Sequence, residues 1–375
     1  MDLQKVRAEF PHTEDTIYMN HAALAPMSRP VVRAINAYVA ERHQSNIENF
    51  FDFQPVVNET LEFAGNMLSA PSSQIAFAPN TSYGLNMLAL GLGWQQGDRI
   101  IVPGCEFPAN VYPFMQLKSR GVQVDLVPHL EGVFSVEDVE ALITPRTKLL
   151  SVSWVQFLSG YRIDLKELGA LCKSRKILFC VDAIQGLGAL EIDVEACQID
   201  FLASGCHKWL MAMQGIGLVY AAQPLLEQLE PFAGWLHGPV DWERLIDYNL
   251  VFHNDARRFR LGTENAMGVA ALNASLRMYL EAGPTACEVQ ILELVNALRQ
   301  GLLNLGFEIY GQVDPGLGSG IVTVKHDRAN ELYDQLKERS IHLAVRNGML
   351  RFAPTYYNTL EEVEQVLETL RALLS

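Results

Sequence analysis

The sequence is poor in basic residues, since 29 Lys and Arg stand against 43 Asp and Glu and give a formal net charge of −14. It has no basic run interleaved with aromatic residues, which argues against nucleic acid or an anionic membrane surface as a partner. No apolar run is long enough to cross a bilayer, and the opening residues are polar and of mixed charge. We therefore expect a cytoplasmic protein with no membrane partner.

Cysteine pairs with the spacing of a zinc or redox site are also missing. The six cysteines contain no Cys-x-x-Cys motif and stand mostly in apolar strand or helix contexts. Reduced thiols in a protein core fit this pattern better than disulfides or metal ligands. We expect no metal site.

With 375 residues, 49% of them hydrophobic, the chain can bury a substantial core, and its length favours two domains. Strand-like runs alternate with helical patterns through the first two thirds of the chain, and this alternation predicts an α/β fold with a largely parallel sheet flanked by helices. The predicted strands are 74–77, 99–103, 123–127, 149–155, 178–182, 201–204 and 216–220. The predicted helices include 83–92, 111–120, 135–142 and 165–175.

The pattern changes after Gly262, where we expect a smaller α+β domain. The predicted helices there are 266–280, 288–305, 328–340 and 360–374. The predicted strands are a short one near 307 and those at 321–324, 341–346 and 349–352, with a glycine-rich turn at 311–320. We assign 16–262 to the large domain and 263–375 to the small domain, with 1–15 packing alongside the latter.

A lysine follows one of the predicted strands, in the run Ser204-Gly205-Cys206-His207-Lys208-Trp209. Apolar neighbours disfavour its ammonium form, which leaves a neutral amine able to condense with an aldehyde. Lys208 is therefore a candidate Schiff-base lysine, and a solvated lysine is the alternative.

An aspartate closes an apolar predicted strand at Asp182. A carboxylate in such surroundings needs a cation, and the protonated ring nitrogen of a pyridine cofactor would supply one. The alternatives are a helix N-cap and the partner of a buried arginine.

Three further features fit a cofactor that carries a phosphate and an aromatic ring. Asn80-Thr81-Ser82 opens a predicted helix after a strand, where hydroxyls and free amides bind anions, although ordinary N-caps have the same sequence. Phe107 at a strand end would cover a ring face or else belong to the core. Arg346 and Arg351 flank Asn347-Gly348, where a guanidinium would clamp a carboxylate or else be solvated.

Taken together, the sequence resembles the class V aminotransferase family of pyridoxal-phosphate enzymes, fold type I, which includes cysteine desulfurases, selenocysteine lyase, kynureninase and isopenicillin N epimerase. The resemblance extends over nearly the whole chain. The motifs that carry it are Ile17-Tyr18-Met19-Asn20-His21-Ala22-Ala23, Asn80-Thr81-Ser82, Gly97-Asp98, Glu106-Phe107-Pro108-Ala109-Asn110, Asp182-Ala183-Ile184-Gln185, His207-Lys208 and Arg260-Leu261-Gly262-Thr263-Glu264-Asn265. It implies a large domain with a mostly parallel seven-stranded sheet.

The resemblance also implies roles for individual residues around pyridoxal 5′-phosphate. Lys208 would bind the cofactor as a Schiff base, Asp182 would pair with its pyridine nitrogen, and Gln185 would donate to its phenolate oxygen. The residues implied to hold the phosphate are His207, Thr81 and either Ser82 or Ser204.

Other implied roles concern the ring face, the substrate and a second subunit. Phe107 would lie over the ring, and Gln156 would lie near the cofactor. Thr263 would reach the phosphate of the neighbouring subunit, because the active site of this family is completed across a homodimer interface. Arg351 is the first candidate for the substrate carboxylate and Arg346 the second, and the remaining substrate-binding candidates are Asn20 and His21.

Two departures from the family pattern affect the expected reaction. Where many relatives place a histidine over the ring, this chain has Phe107, which removes a possible acid–base group. Group II cysteine desulfurases carry a persulfide-forming cysteine on a loop between an Ala-Val-Arg motif and a later arginine motif. Here the run from Ala344 to Arg351 has no such loop, and no cysteine follows Cys287. We interpret Cys206, beside Lys208, as a structural thiol rather than a nucleophile.

We therefore expect a pyridoxal-phosphate enzyme that acts on an amino acid through an external aldimine and a quinonoid, with the freed Lys208 as base. A cysteine desulfurase-like enzyme or carbon–sulfur lyase is favoured. An aminotransferase or epimerase of the same family is the alternative, and a non-catalytic binding protein that keeps the fold is the alternative of another class.

Overall fold

The strands form from apolar runs of the sequence, and several consecutive buried positions mark those at Thr147–Ser153 and Phe201–Gly205. The computed structural model describes residues 1–311 and 318–375. In these residues the strands are β1 Ile17–Tyr18, β2 Ile75–Ala78, β3 Arg99–Pro103, β4 Gln123–Val127, β5 Thr147–Ser153, β6 Leu178–Asp182, β7 Phe201–Gly205, β8 Gly217–Ala221, β9 Glu308–Ile309, β10 Val322–Lys325, β11 Ile341–His342, β12 Ala344–Arg346 and β13 Met349–Phe352.

The helices begin at polar caps in several cases. The side chains of Asn80, Asp164 and Thr359 accept hydrogen bonds from backbone amides of the first turn that would otherwise lack a partner. The α-helices of the described residues are α1 Leu3–Arg7, α2 Arg29–Gln44, α3 Gln54–Leu68, α4 Thr81–Gly91, α5 Tyr112–Met115, α6 Val136–Glu140, α7 Leu165–Arg175, α8 Gln223–Leu226, α9 Ala266–Ala282, α10 Pro284–Asn304, α11 Ala329–Lys337 and α12 Leu360–Leu374.

Within the described residues, the large sheet has seven strands in the order β2-β8-β7-β6-β5-β3-β4. Strand β8 runs antiparallel to both of its neighbours, and the other pairings are parallel. The expectation of a mostly parallel seven-stranded sheet is confirmed. Because β6 and β7 are parallel neighbours, their carboxyl ends lie at the same edge of the sheet. Asp182 ends β6, and Gly205, three residues before Lys208, ends β7.

A second sheet, in the order β12-β13-β10-β9, is antiparallel throughout the part that the structure describes. The predicted single strand at 341–346 is wrong, because β11 pairs in parallel with β1 while β12 pairs with β13. Strand β1 near the start of the chain therefore lies against C-terminal residues. The division at 262/263 stays a prediction.

Helices α2 and α3 were not among the predicted helices, and both pack against α9. The apolar face of α2 is weak, since Val31 is its one buried residue. The predicted helix at 111–120 divides into α5 and a 3₁₀ helix at Gln116–Arg120, which ends at Gly121 with a φ of 79°. The predicted glycine-rich turn at 311–320 lies mostly outside the described residues. In the described segments no helix combines the length and apolar character needed to cross a membrane.

Helix α4 lies directly on the sheet because it has a glycine at the contact. A Cβ atom on Gly84 would lie 2.8 Å from the Cβ of Ala203 on β7 and 2.8 Å from Cγ2 of Val219 on β8. The hydrogen atom of glycine allows the close approach that brings the first turn of α4 to the ends of these strands.

Candidate active site

A cavity of about 320 Å³ lies at the carboxyl edge of the large sheet, between the N-terminus of α4 and the β12–β13 hairpin. It brings together side chains from positions more than 300 residues apart. The lining residues are Ala22, Ala23, Asn80, Thr81, Ser82, Phe107, Ala109, Phe157, Asp182, Ile184, Gln185, His207, Lys208, Arg346 and Arg351.

The turn that carries Lys208 is fixed by backbone hydrogen bonds. The amide of Met211 donates to the Lys208 carbonyl oxygen at 2.9 Å, and the amide of Ala25 donates to the His207 carbonyl oxygen at 3.0 Å. Burial lowers the pKa of Lys208 to about 8; Asp182 opposes this shift, and Arg351 and Arg346 add to it. A large fraction of the amine is therefore neutral near pH 8 and able to attack an aldehyde.

Asp182 is a buried carboxylate in the same cavity. Its Oδ1 accepts a hydrogen bond of 3.0 Å from the backbone amide of Ile184. Burial raises the pKa of Asp182 to about 7, and the nearby Glu106 adds to this rise. The Ile184 hydrogen bond and the charge of Lys208 oppose it. It is the one carboxylate among the described lining residues, so a cationic ring nitrogen would find its partner here.

The N-terminus of α4 lies at one end of the cavity. The side-chain oxygen of Asn80 accepts a 2.9 Å hydrogen bond from the Tyr83 amide and so caps the helix. The backbone amides of Thr81 and Ser82 lie in the first turn, where the helix offers them no carbonyl acceptor. Together with the helix dipole, these amides suit a phosphate. His207 also lines the cavity, and burial together with Lys208 lowers the pKa of its ring.

Ser204, the other residue predicted for the phosphate, lies outside the cavity lining. It is buried within β7, and its hydroxyl donates to the carbonyl oxygen of Gly205 at 3.1 Å. Of the two serines named from the sequence, only Ser82 is brought to the cavity.

Gln185 has its amide fixed by two hydrogen bonds. Its Nε2 donates to the carbonyl oxygen of Ala22 at 3.0 Å, and its Oε1 accepts from the indole N–H of Trp209 at 2.9 Å. The second N–H of Nε2 is left for a ligand in the cavity.

Phe107 forms a wall of the cavity and is not a plain core residue, since its side chain is 48% exposed. Its ring centroid lies 5.9 Å from Nζ of Lys208 and 5.3 Å from the ring centroid of Phe157, with the two rings edge to face. The exposed ring is available to cover an aromatic cofactor.

Arg351 and Arg346 come to the cavity from the β12–β13 hairpin. Arg351 is 2% exposed, and its Nη1 donates to the Phe157 carbonyl oxygen at 2.7 Å. Burial, with a contribution from Arg346, lowers the pKa of Arg351 to about 10. Arg346 is exposed and donates from Nη1 to the carbonyl oxygen of Val345 at 2.8 Å.

Two residues predicted to lie near the ligand are instead turned away. Gln156 is buried outside the lining, and its Nε2 donates to Oε1 of Glu106 at 2.8 Å. His21 is fully buried, with Nδ1 2.9 Å from the Ala353 carbonyl oxygen and Nε2 2.7 Å from the Tyr357 hydroxyl. Burial lowers the pKa of His21 to about 3, which favours the neutral ring.

Asn20 and Thr263 also lie outside the lining. Asn20 lines an adjoining cavity of about 580 Å³, and its Oδ1 is buried without a partner in the described part of the chain. Thr263 is exposed on the surface of its own subunit.

Glu106 is a site residue for which the sequence predicted no role, although it opens the motif Glu106-Phe107-Pro108-Ala109-Asn110. This buried carboxylate accepts hydrogen bonds from the amide and hydroxyl of Ser153 at the end of β5, as well as from Gln156. Burial raises the pKa of Glu106, and these hydrogen bonds oppose the shift. Its position directly before Phe107 was the available signal. The carbonyl oxygen of Phe157 accepts a hydrogen bond from Arg351, and no sequence motif indicated this contact.

The arrangement fits pyridoxal phosphate. Lys208 would supply the amine, Asp182 a buried partner for the ring nitrogen, and Phe107 a surface to cover the ring; all three line the cavity. The amides of Thr81 and Ser82 would hold the phosphate.

Comparison with known proteins gives consistent results. The family model described as aminotransferase class-V matches residues 17–366. A protein of Pyrococcus abyssi named probable cysteine desulfurase is 30% identical over 397 residues, which cover 99% of this chain and 97% of the relative.

Solved structures are similar over almost the full length. The apo structure of a cysteine desulfurase from Thermococcus onnurineus NA1 has a TM-score of 0.89 and 26% identity, covering 99% of this chain and 97% of that one. A structure of C-DES with glycine covalently linked to its PLP cofactor has a TM-score of 0.90 and 21% identity, covering 97% and 98%. At 21% identity, the similarity to C-DES shows a shared fold.

Proposed function

This chain belongs to the class V aminotransferase family of pyridoxal-phosphate enzymes, and we propose that it cleaves a carbon–sulfur bond of an amino acid without a persulfide cysteine of its own. The observation that carries the proposal is that the side chains of Lys208, Asp182 and Arg351 line the same cavity. The resemblance to proteins named cysteine desulfurase supports a sulfur-containing substrate.

The residues that would hold the cofactor are Lys208, Asp182, Gln185, Phe107, Thr81, Ser82 and His207. When bound, pyridoxal phosphate supplies an electron sink that stabilises negative charge at the α-carbon of an attached amino acid. Asp182, as a carboxylate, favours a protonated ring nitrogen and so strengthens this sink.

Lys208 is the base that we assign to the α-proton. Its lowered pKa leaves the amine free to accept a proton near neutral pH. Phe107, in place of an imidazole, brings no proton to the ring face, and His207 is assigned to the phosphate. Arg351 would hold the substrate carboxylate through its remaining guanidinium donors and so aim the α-proton at Lys208.

The β12–β13 hairpin supports the absence of a persulfide relay. Arg346 pairs directly with Met349, and Asn347 and Gly348 complete the turn with φ values of 49° and 73°. Cys206 is fully buried, and burial raises its pKa far above the usual range, so its thiol is not a nucleophile. The sulfur would therefore leave the substrate as sulfide.

A homodimer is part of the proposal. The rings of Phe50, Phe51, Trp235 and Trp242 form an aromatic cluster with centroid separations from 5.2 to 6.1 Å, and three of these side chains are exposed. The Trp235 amide donates to the Leu261 carbonyl oxygen at 2.9 Å, two residues before Thr263. A second copy that covers the aromatic cluster would bury this apolar surface and bring Thr263 toward the partner's cavity.

The cofactor is tested by adding pyridoxal phosphate to the purified protein and reducing it with borohydride. We expect a covalent adduct on Lys208, located by peptide mass spectrometry, and no such adduct in Lys208→Ala. Lys118→Ala, an exposed lysine, is the matched control. A protein that binds no cofactor would contradict the proposed activity.

The reaction is tested by incubating the loaded enzyme with single amino acids. Elimination from cysteine consumes water and gives sulfide, ammonia and pyruvate in equal amounts, which is the expected result. Alanine formed with transfer of sulfur to a protein thiol would contradict the inference from the hairpin. Conversion of the cofactor to its amine form would instead indicate an aminotransferase, and inversion of the α-carbon an epimerase.

A further inference from the structure

Glu106 is a buried carboxylate to which the proposed function gives no role. It follows β3 and is 8% exposed. Its Oε1 accepts hydrogen bonds from the Ser153 amide at 2.7 Å and from Nε2 of Gln156 at 2.8 Å, and its Oε2 accepts from the Ser153 hydroxyl. Because Ser153 ends β5, this carboxylate ties the segment that follows β3 to the segment that follows β5.

The same two segments make a second contact at the cavity. Phe107 follows Glu106 in the chain, and Phe157 follows Gln156. The rings of the two phenylalanines pack edge to face with centroids 5.3 Å apart, and both residues line the cavity. A buried polar contact and an aromatic contact at the cavity wall therefore join two pairs of consecutive residues, so a shift of one pair would displace the other.

The segment that follows β5 also directs Arg351. Nη1 of Arg351 donates to the Phe157 carbonyl oxygen at 2.7 Å, and this is the one hydrogen bond that the guanidinium makes within residues 1–311 and 318–375. The Nε of Arg351 is buried there without a partner. An arginine side chain has many rotamers, so the position of this single acceptor selects among them. The bond from Gln156 to Glu106 fixes the chain one residue before that acceptor.

We infer that Glu106 is a positioning residue, which holds Phe157 where its carbonyl oxygen aims Arg351 at the α-carboxylate of the substrate. The inference rests on the proposed function, since it takes Arg351 as the α-carboxylate site. Glu106 is not among the residues that line the cavity and acts through Gln156 and Phe157. All of these contacts lie within one subunit, where Glu106 is buried, so they do not depend on the second copy of the proposed dimer.

This role needs hydrogen bonds rather than charge, which makes glutamine an informative replacement. In Glu106→Gln the side-chain oxygen can still accept from the Ser153 amide and from Gln156. The new amide nitrogen can donate to the Ser153 hydroxyl, which is free to turn from donor to acceptor. Glu106→Ala removes all of these bonds and leaves buried donors without an acceptor.

The test compares the binding of L-alanine and ethylamine to the enzyme loaded with pyridoxal phosphate. The two amines differ only by the carboxylate that Arg351 would bind. The readout is the change in cofactor absorbance on binding, which needs no turnover. We define the ratio of the two dissociation constants as the carboxylate preference, and expect the wild type to bind L-alanine at least about tenfold more tightly. Arg351→Ala should abolish this preference.

Variants of Glu106 separate positioning from other roles. Glu106→Ala should reduce the carboxylate preference to less than about threefold, and Glu106→Gln should keep it within about twofold of the wild-type value. Adding Glu106→Ala to Arg351→Ala should cause no further loss, because a residue that acts through another has no effect once the other is removed. Gln156→Ala breaks the link nearest Phe157 and should also lower the preference, which tests the inference even where Glu106→Ala fails to fold.

Glu362→Ala is the matched control for the loss of a buried carboxylate. Glu362 is 6% exposed and accepts hydrogen bonds from Arg7, from Nδ2 of Asn358 at 2.8 Å and from the Thr359 amide at 3.1 Å. It lies in the first turn of α12 and does not line the cavity. Urea unfolding should show that Glu362→Ala and Glu106→Ala both lose stability, whereas the carboxylate preference should fall only in Glu106→Ala.

A carboxylate preference that is unchanged in Glu106→Ala and Gln156→Ala overturns the inference while the proposed function stands. So does a preference that falls as far in Glu106→Gln or Glu362→Ala as in Glu106→Ala. If Arg351→Ala keeps the wild-type preference, the role assigned to Arg351 and this inference both fail. Wild-type enzyme that binds neither L-alanine nor L-cysteine overturns the proposed function, and the inference with it.

Discussion

The hydroxyl of Thr81 accepts a hydrogen bond of 2.8 Å from the backbone amide of Gly205. Thr81 is the first residue of α4, and Gly205 ends β7 three residues before Lys208. The bond ties the first turn of α4 to the turn that carries the amine. The distance between the two ends of the cofactor site is therefore held by the protein before any ligand binds.

Thr81→Val should weaken retention of pyridoxal phosphate about tenfold. Valine has the same shape but leaves the Gly205 amide unsatisfied and removes a hydroxyl from the first turn of α4. Equilibrium dialysis of the cofactor measures the effect. Thr81→Ser keeps the hydroxyl and should stay within about threefold of wild type, and equal losses in both variants would contradict the assigned bond.

The reaction of the cofactor-free protein with pyridoxal phosphate should speed up as pH rises through about 8 and then level off. The neutral amine is the reactive form, and burial lowers the pKa of Lys208 to about 8. Stopped-flow absorbance measures the rate. Asp182 raises the pKa of Lys208, so in Asp182→Asn the increase should begin at lower pH. A midpoint near 10.5, the ordinary lysine value, would contradict the burial argument.

Gly84→Ala should destabilise the fold by about 1–3 kcal/mol and weaken cofactor binding. The added methyl group would lie 2.8 Å from Ala203 and Val219, so α4 would move away from β7 and β8. Urea unfolding and cofactor titration measure the two effects. Gly93→Ala is the control, because nothing lies within 4 Å of a Cβ there, and it should change stability by less than about 0.5 kcal/mol.

His21→Gln should lower the free energy of unfolding by about 2–4 kcal/mol and leave amino acid binding nearly unchanged. The carbonyl oxygen of Ala353 accepts from Nδ1–H of His21, so Nε2 accepts from Tyr357, and the substitution disturbs both bonds. Urea unfolding is the measurement. A large rise in the Michaelis constant with unchanged stability would restore His21 as a substrate-binding residue.

His21→Gln should also change how the free energy of unfolding depends on pH. The pKa of His21 falls from 6.5 to about 3 on folding, chiefly through burial, so below pH 6.5 the unfolded chain binds a proton that the folded chain does not. This contribution to stability is complete above pH 6.5 and is lost as pH falls toward 3. His21→Gln should therefore lose less stability than wild type between pH 6.5 and 4.

Phe51→Asp should convert the proposed dimer to monomers. Phe51 is exposed and packs against Trp242 with ring centroids 5.3 Å apart, and a buried, unpaired carboxylate at a dimer interface costs several kcal/mol. Sedimentation velocity measures the change. Leu303→Asp, an exposed residue of α10, is the control and should leave the oligomeric state unchanged. Monomeric wild-type protein would contradict the proposal directly.

Several parts of the fold were predictable because their signals are local. The segments that became β4 and β6 have the predicted bounds, and so does α7, whose cap at Asp164 is a local signal. Helix α2 was missed because its apolar face is weak, and its packing on α9 depends on a partner more than 200 residues away. The strand at 341–346 was predicted as one because pairing with β1 is not visible in a local pattern.

The sequence by itself determined which groups could do the chemistry. It showed a lysine after one buried strand and an aspartate closing another, because the cost of burying a charge makes such residues informative wherever they occur. The adjacency of parallel strand ends then made their meeting predictable.

Only the tertiary structure decided which way the neighbouring side chains point. Gln156 turns to Glu106, His21 turns to Tyr357, and Ser204 turns to the Gly205 carbonyl oxygen, whereas Arg351 is aimed into the cavity by the carbonyl oxygen of Phe157. Each choice depends on a polar partner distant in sequence or on the local strand geometry, since a buried polar group must find a hydrogen bond where the fold provides one. Motif spacing contains no information about that partner.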